Sequence, residues 1–486
     1  MFTARGRSFA LPVLSAALVF TGTLIGSVPV ATAAVPDEVA DATTAEKLAQ
    51  QSGKSIVIGS ATTETSEVKA NPDGTRTLVN YVHPVRVKQN GAWTDVDLNL
   101  APQPDGTLAP KAAPVAMSFT AGGLGSAAAP VARLVKGDAE VGFGWTADLP
   151  PARISGKTAT YPDVLPGVDL EVQAGLTGFS QNLVVKTADA AKNSELKKIT
   201  FKSHTKNTKI SQSPAAGVAA KSAAASTSGG LVVTGPDGQP VFGGDASRMW
   251  DASESARQAV MGVEVGASTI SVTPDQAFLA DPNTAYPVRL DPDYYCLTCS
   301  KQHHAVVQSP WGDAQNYDKA DGQLSDLKAG YVNAAELGST SAGISRTYVQ
   351  MNTTDIIGKK IHSATVHATV IKSYSCNPTP TQLWLTGPIG WGTTWDSQPV
   401  WDYTLGENNR ANNPGKCPSD GGADFDATGA VMRAAEGSWT LTTFMFAAKN
   451  EGSLDASWRR FALNPYLEVK YNSYPSTPAD LGVEGW

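Results

Sequence analysis

The chain has 486 residues, room for about three domains. Hydrophobic residues make up 41% and charged residues only 17%, enough to build cores but few charges for a cytosolic enzyme. Lys and Arg number 38 against 45 Asp and Glu, with no long block of like charge, which excludes the electrostatic footprint of a nucleic-acid binder.

Arg5 and Arg7 precede an uncharged stretch over 8–30, and Ala31-Thr32-Ala33 then offers the small residues that a signal peptidase reads. Residues 1–33 are therefore expected to be a secretory signal peptide. Pro12, Gly22, Gly26 and Pro29 interrupt the run and argue against a retained membrane anchor. Residues 34–54 read as a helical or flexible spacer that Gly53 ends. From 55 to 292 short apolar segments alternate with turn chemistry, as in Asn71-Pro72-Asp73-Gly74, Asn90-Gly91, Asp105-Gly106 and Asp237-Gly238. Strands are predicted there over 116–120, 168–174, 179–185, 231–234, 269–273 and 278–279, among others. An Ala-, Ser-, Thr- and Lys-rich tract at 203–230 marks a weak boundary within this region, between two sandwich subdomains. A further unit spans 300–472, with strands predicted over 305–308, 328–332, 345–351, 363–371, 383–385, 423–426, 438–448, 460–462 and 466–471, and a helix over 428–435. A Pro-containing tail covers 473–486. The expected fold is all-β, with tandem β-sandwich domains of which the C-terminal one is of jelly-roll type.

The four cysteines, Cys296, Cys299, Cys376 and Cys417, are an even number in a chain expected to be exported, so disulfides are the default. The economical pairing is a tight Cys296–Cys299 loop with a long-range Cys376–Cys417 bridge, although spacing alone leaves the connectivity open. Cys296 and Cys299 followed by His303 and His304 also have the look of half a zinc site, without a second CxxC to complete it.

Seven ordered segments of the C-terminal unit carry a family resemblance. They are Ala305-Val306-Val307, Leu327-Lys328-Ala329-Gly330, Ser345-Arg346-Thr347-Tyr348-Val349-Gln350-Met351, Ile361-His362-Ser363-Ala364-Thr365-Val366, Thr393-Thr394-Trp395 with Pro399, Phe425-Asp426-Ala427-Thr428, and Asn464-Pro465-Tyr466-Leu467-Glu468-Val469. In this order they resemble the DNRLRE domain, a secreted jelly-roll module related to carbohydrate-binding modules, with Met351 where that family usually has Phe. The preceding region, through Gly91-Ala92-Trp93-Thr94-Asp95-Val96-Asp97, Tyr161-Pro162-Asp163-Val164-Leu165-Pro166-Gly167 and Tyr286-Pro287-Val288-Arg289-Leu290-Asp291-Pro292, resembles the β-rich amino-terminal part of large secreted bacterial proteins that carry LamG or Rhs/YD repeats. The resemblance implies a wall- or surface-associated protein. It leaves open whether the chain is a fragment of a longer one.

Trp384, Trp391, Trp395, Trp401 and Tyr403 crowd together beside Asp396, Asp402, Asn408 and Asn409. Aromatic faces stack on sugar rings while amides and carboxylates bind hydroxyls, so this cluster is the expected carbohydrate platform; the competing reading is that the rings fill a core. Asp420, Asp424 and Asp426 around Gly421-Gly422, and Asp291, Asp293 and Asp313, are weak calcium candidates without EF-hand spacing, and Asp426 can equally cap the turn after it. No other cofactor is expected. Nucleophile-elbow, zincin and Walker motifs are absent, and no catalytic residue is assigned. The leading expectation is a secreted, non-enzymatic protein that binds an extracellular polysaccharide or cell-wall polymer. The alternatives are a structural or delivery stem of a LamG/Rhs-type protein and, third, a polysaccharide lyase or hydrolase.

Overall fold

A computed structural model describes residues 35–212, 230–244, 247–253, 257–291, 293–312, 314–319, 325–333, 342–452 and 456–473. The expected signal peptide and nearly all of the expected tail lie outside the described residues. The fold is all-β and sandwich-like, built from several sheets that close no barrel.

Turn chemistry sets the hairpins. Asn90 and Gly91 both have positive φ, 50° and 85°, the twist that lets a two-residue turn join strands Arg86–Gln89 and Ala92–Asp95. Strand Val168–Ala174 buries every second residue, Val168, Leu170, Val172 and Ala174, as a half-buried strand must. Its neighbour Gly178–Val185 is buried along its whole length, because other strands and the opposite layer cover it on all sides.

Two cores organise the described chain. The first lies between an eight-stranded sheet, running from Gly262–Val265 through Ile199–Lys206 to Asp97–Pro102, and an eleven-stranded sheet centred on Gly178–Val185. Phe119, Phe143, Phe179, Phe201 and Tyr294 interlock there, with Phe143 and Phe201 edge to face at 5.6 Å. Each such ring, fully buried, contributes on the order of 2–3 kcal/mol. Residues 203–230 are where the chain changes layers of this one sandwich: Ile199–Lys206 lies in the eight-stranded sheet and Lys209–Gln212 in the other, with 213–229 outside the described residues.

The second core lies between a layer built on Gly343–Asn352, Leu441–Ala448, Thr381–Thr386 and Trp401–Asn408 and a layer built on Lys359–Ser373, Tyr466–Ser473 and Gly422–Asp426. Val349, Met351, Phe444 and Phe446 from the first meet Val366, Phe425, Leu467 and Val469 from the second, and helix Thr428–Glu436 adds Ala430, Val431, Ala434 and Ala435. This layer extends into the N-terminal part of the chain. Strand Arg76–Tyr81 pairs antiparallel with Tyr466–Ser473, and Ser66–Ala70, Ile56–Ile58 and Glu38–Val39 follow outward. The first strands of the expected 55–292 region thus belong to the second sandwich. The reason is an open edge: Tyr466–Ser473 is paired on one side by Lys359–Ser373, and its unmet N–H and C=O groups on the other side need a partner.

The expected spacer is helix Ala42–Ser52, capped by the Asp41 carboxylate, which accepts from Thr44 N at 2.7 Å, and ended by Gly53 at φ 71°. Ala45 and Ala49, one turn apart, are its buried face. One predicted strand is corrected. Phe278 and Leu279 sit in helix Gln276–Ala280, because Asp275 accepts from both Ala277 N and Phe278 N and closes a helical turn. Both bridges of the economical pairing are present, Cys296–Cys299 and Cys376–Cys417. With its thiols consumed, the Cys296/Cys299 pair supplies no zinc ligand.

Candidate functional site

The aromatic cluster is built on the face of the Gly343–Asn352 layer that points away from the second core. Tyr348 and Met445 on that face form a third apolar cluster with Tyr295, Leu297 and Ile389, and Trp384, Trp391, Trp395 and Trp401 pack against it. Arg346 organises the rings. Its guanidinium carbon lies 4.3 Å from the Trp395 ring centre and 4.4 Å from that of Trp401, so each indole presents a face to the same cation. The guanidinium is held in turn by Glu451, at 2.8 and 2.6 Å, and by Gln398 Oε1 at 2.9 Å. Tyr348 completes the network: its hydroxyl donates to Gln398 Oε1 at 2.8 Å and accepts from Trp401 Nε1 at 3.1 Å. Burial pushes the Tyr348 phenol up to about 12.

The five predicted platform residues do not form one surface. Trp384 and Trp401 touch, with centroids 5.3 Å apart, and Trp395 joins them through Arg346. Trp391 instead packs on Tyr295, and a Cβ on Gly243 would come within 2.8 Å of its indole, so the ring fills the seam between the two sandwiches. Tyr403 lies on the opposite face. Strand Trp401–Asn408 shifts register where Leu385 pairs with Tyr403 and Thr386 with Trp401, leaving Asp402 as an extra residue. That bulge reverses the alternation, sending Trp401 to the aromatic cluster and Tyr403 to the second core. There Arg433 stands 5.4 Å from the Tyr403 ring and 5.5 Å from that of Trp439, with its Nη1 donating to Asp402 at 2.8 Å.

Each of Asp420, Asp424 and Asp426 makes a local bond. Asp420 accepts from Gly422 N at 3.2 Å, Asp424 faces His367 Nδ1 at 2.8 Å, and Asp426 accepts from Thr428 N at 2.9 Å ahead of helix Thr428–Glu436. Hydrogen bonds from Thr428 hold the Asp426 carboxyl below its ordinary range. Asp293 pairs with Lys319 at 2.6 Å, Asp291 is buried, and Asp313 lies outside the described residues. Among the described residues no three His, Cys, Asp or Glu side chains come together as metal ligands would.

One buried polar cluster was not anticipated. His83 and His304 meet edge to face at 4.8 Å, and the Asp318 carboxylate lies against His303 Nδ1 at 2.6 Å while accepting from His304 N at 2.9 Å. Burial, reinforced by the neighbouring His304, lowers His83 to about 3. For Asp318 burial acts upward but is outweighed by the hydrogen bonds from His303 and His304, leaving the carboxyl lowered to about 2. His83 follows the Arg76–Tyr81 strand while the other three belong to 303–318. Only the strand pairing brings them together, and no local pattern announces it.

No family model matches the chain, and no curated protein matches it. The DNRLRE and LamG/Rhs resemblances therefore rest on the segments named above.

Proposed function

We propose that this chain is a secreted, non-enzymatic structural module of a cell wall or cell surface, of the kind that the DNRLRE-type and LamG/Rhs-associated regions it resembles would supply. The observation that carries this reading is how the aromatic cluster is used. Trp395 and Trp401 each give a face to Arg346, and Trp391 is packed into the seam between the sandwiches, so the rings serve cohesion. Two disulfides suit an oxidising exterior, and among the described residues no helix is long and apolar enough to cross a membrane. A second reading, polysaccharide binding through ring stacking, is favoured by partial exposure: Trp384, Trp391, Trp395, Trp401, Tyr403 and Trp439 are all only half-buried, and Tyr403 and Trp439 share Arg433.

The test is retention of the exported chain on insoluble peptidoglycan, chitin, cellulose and alginate, beside Trp391→Ala, Trp401→Ala and Tyr403→Ala. The structural reading expects the Trp variants to lower the thermal midpoint and none of the three to abolish retention selectively. Retention lost in Tyr403→Ala at an unchanged midpoint would establish ring stacking instead. Release of reducing or unsaturated sugar ends would reveal a hydrolase or lyase.

A further inference from the structure

Where the N-terminal strands join the second sandwich, residues 63–66, Asn80, Pro84 and Pro114 enclose a cleft with the segment 299–302 that follows the Cys296–Cys299 bridge and the segments 352–355 and 440–441. Its volume is about 770 Å³, within the range of roughly 300–1,000 Å³ usual for small-molecule sites. The lining mixes amides and hydroxyls with two carboxylates, Glu64 and Asp355, one ammonium, Lys301, and the apolar surfaces of Pro84, Pro114 and Leu441, and among the described residues no aromatic ring lines it. The buried amides are rigidly placed. Gln302, 2% exposed, donates through Nε2 to Thr65 Oγ1 at 3.0 Å and to Asn80 Oδ1, while Asn80 Nδ2 donates to Asn352 O at 2.7 Å. Gln302 Oε1 is left buried with no partner among the described residues, an acceptor whose desolvation none of them offsets.

We propose that this cleft binds a saccharide segment that carries no acidic groups. Fixed amides and hydroxyls match the alternating donors and acceptors of sugar hydroxyls, and Gln302 supplies an acceptor that lacks a donor. Glu64 and Asp355, two carboxylates against the one ammonium of Lys301, leave the lining net negative and so disfavour phosphate, sulfate or uronate groups. The lack of rings among the described lining residues gives a nucleobase nothing to stack on, and a lipid chain would desolvate Glu64, Asp355 and Lys301 without pairing them. The inference goes beyond the structural reading and stands without it, since the cleft shares no residue with the aromatic cluster.

The experiment is calorimetric titration of the exported chain with chitotetraose, cellotetraose, mannotetraose and maltotetraose, and with an acidic alginate tetramer. At least one neutral oligomer is expected to bind and the alginate tetramer to bind at least tenfold more weakly. The double variant Glu64→Ala/Asp355→Ala, two exposed positions, is expected to weaken the neutral oligomer at least tenfold and to narrow its advantage over alginate. Gln302→Ala is expected to abolish binding, with the thermal midpoint checking that the fold survives. Absence of heat with every neutral oligomer, alginate binding as tightly as the best of them, or affinity lost in Trp401→Ala but kept in both cleft variants would overturn the proposal.

Discussion

The indole of Trp391 packs on the ring of Tyr295, centroids 5.6 Å apart at 40°, and ties the connection 387–400 of the second sandwich to strand Asp293–Cys296 of the first. Gly243 on the neighbouring strand leaves room for the indole edge, since any Cβ there would collide with it. Trp391→Ala removes the largest side chain at this seam. Allowing for its partial exposure, it is expected to cost about 2–4 kcal/mol, read as a lower denaturation midpoint in urea. An unchanged midpoint would show that the seam is held elsewhere.

Arg346 is expected to resist conservative exchange. Lysine lacks the planar fork that meets Glu451 with two bonds while facing two indoles, so Arg346→Lys should lose about 1–3 kcal/mol and shift the tryptophan emission spectrum as Trp395 and Trp401 loosen. Equal stability and an identical spectrum would show that any cation suffices.

Acid should unfold the protein through the histidine cluster. His83 is lowered from 6.5 to about 3 by burial, next to His304, His303 and Asp318. Above pH 6.5 both folded and unfolded chains hold this imidazole neutral, so its burial carries no proton-linked cost. As pH falls, the unfolded chain takes up a proton that the folded chain refuses until about pH 3, and stability drops by about 1.4 kcal/mol per pH unit across that window. Asp318, lowered from 3.8 to about 2, adds a further loss as pH falls between those values. Urea titrations at pH 7, 5 and 4 check this, and His83→Phe is expected to flatten the slope.

The two bridges should differ in weight. Cys376–Cys417 closes a separation of 41 residues and Cys296–Cys299 one of 3. On chain-entropy grounds, removing the long bridge by Cys376→Ala/Cys417→Ala costs about 4 kcal/mol, and removing the short one about 2. Comparing the two double variants in one denaturation series tests the ranking.

Gly330 combines φ of 104° with a position at which a Cβ would lie 2.1 Å from Ser457 O. Gly330→Ala should therefore cost about 3 kcal/mol or more. Gly74, with φ of 79° but open space around it, isolates the conformational part, and Gly74→Ala should cost about 1–2 kcal/mol. Similar losses in the two variants would mean that the contact with Ser457 relaxes freely.

Much of the local structure could be read from residue patterns. The strands predicted over 116–120, 168–174, 231–234 and 269–273 coincide with those observed, and the helix predicted over 428–435 is Thr428–Glu436. Strand Trp401–Asn408 is not among the predicted strands, because a bulge at Asp402 breaks the alternation by which it could be read. The candidate site was legible as a crowd of rings but not as a surface. Which way Trp401 and Tyr403 point depends on that bulge, and what covers Trp391 depends on Tyr295 and Gly243, far away in the chain.

By itself the amino-acid sequence determined what short-range chemistry controls: alternating burial that makes strands, Asn-Gly and Asp-Gly turns that join them, the Asp41 and Gly53 ends of helix Ala42–Ser52, and an all-β class. Only the tertiary structure decided that residues 38–81 complete the sheet of the C-terminal sandwich, that Arg346 takes up the tryptophan faces, and that His83 meets His304. Each of those depends on an open strand edge or a buried group finding its partner across the chain. Such pairing is chosen by the whole core, because any strand edge of suitable pattern can satisfy the same backbone groups locally.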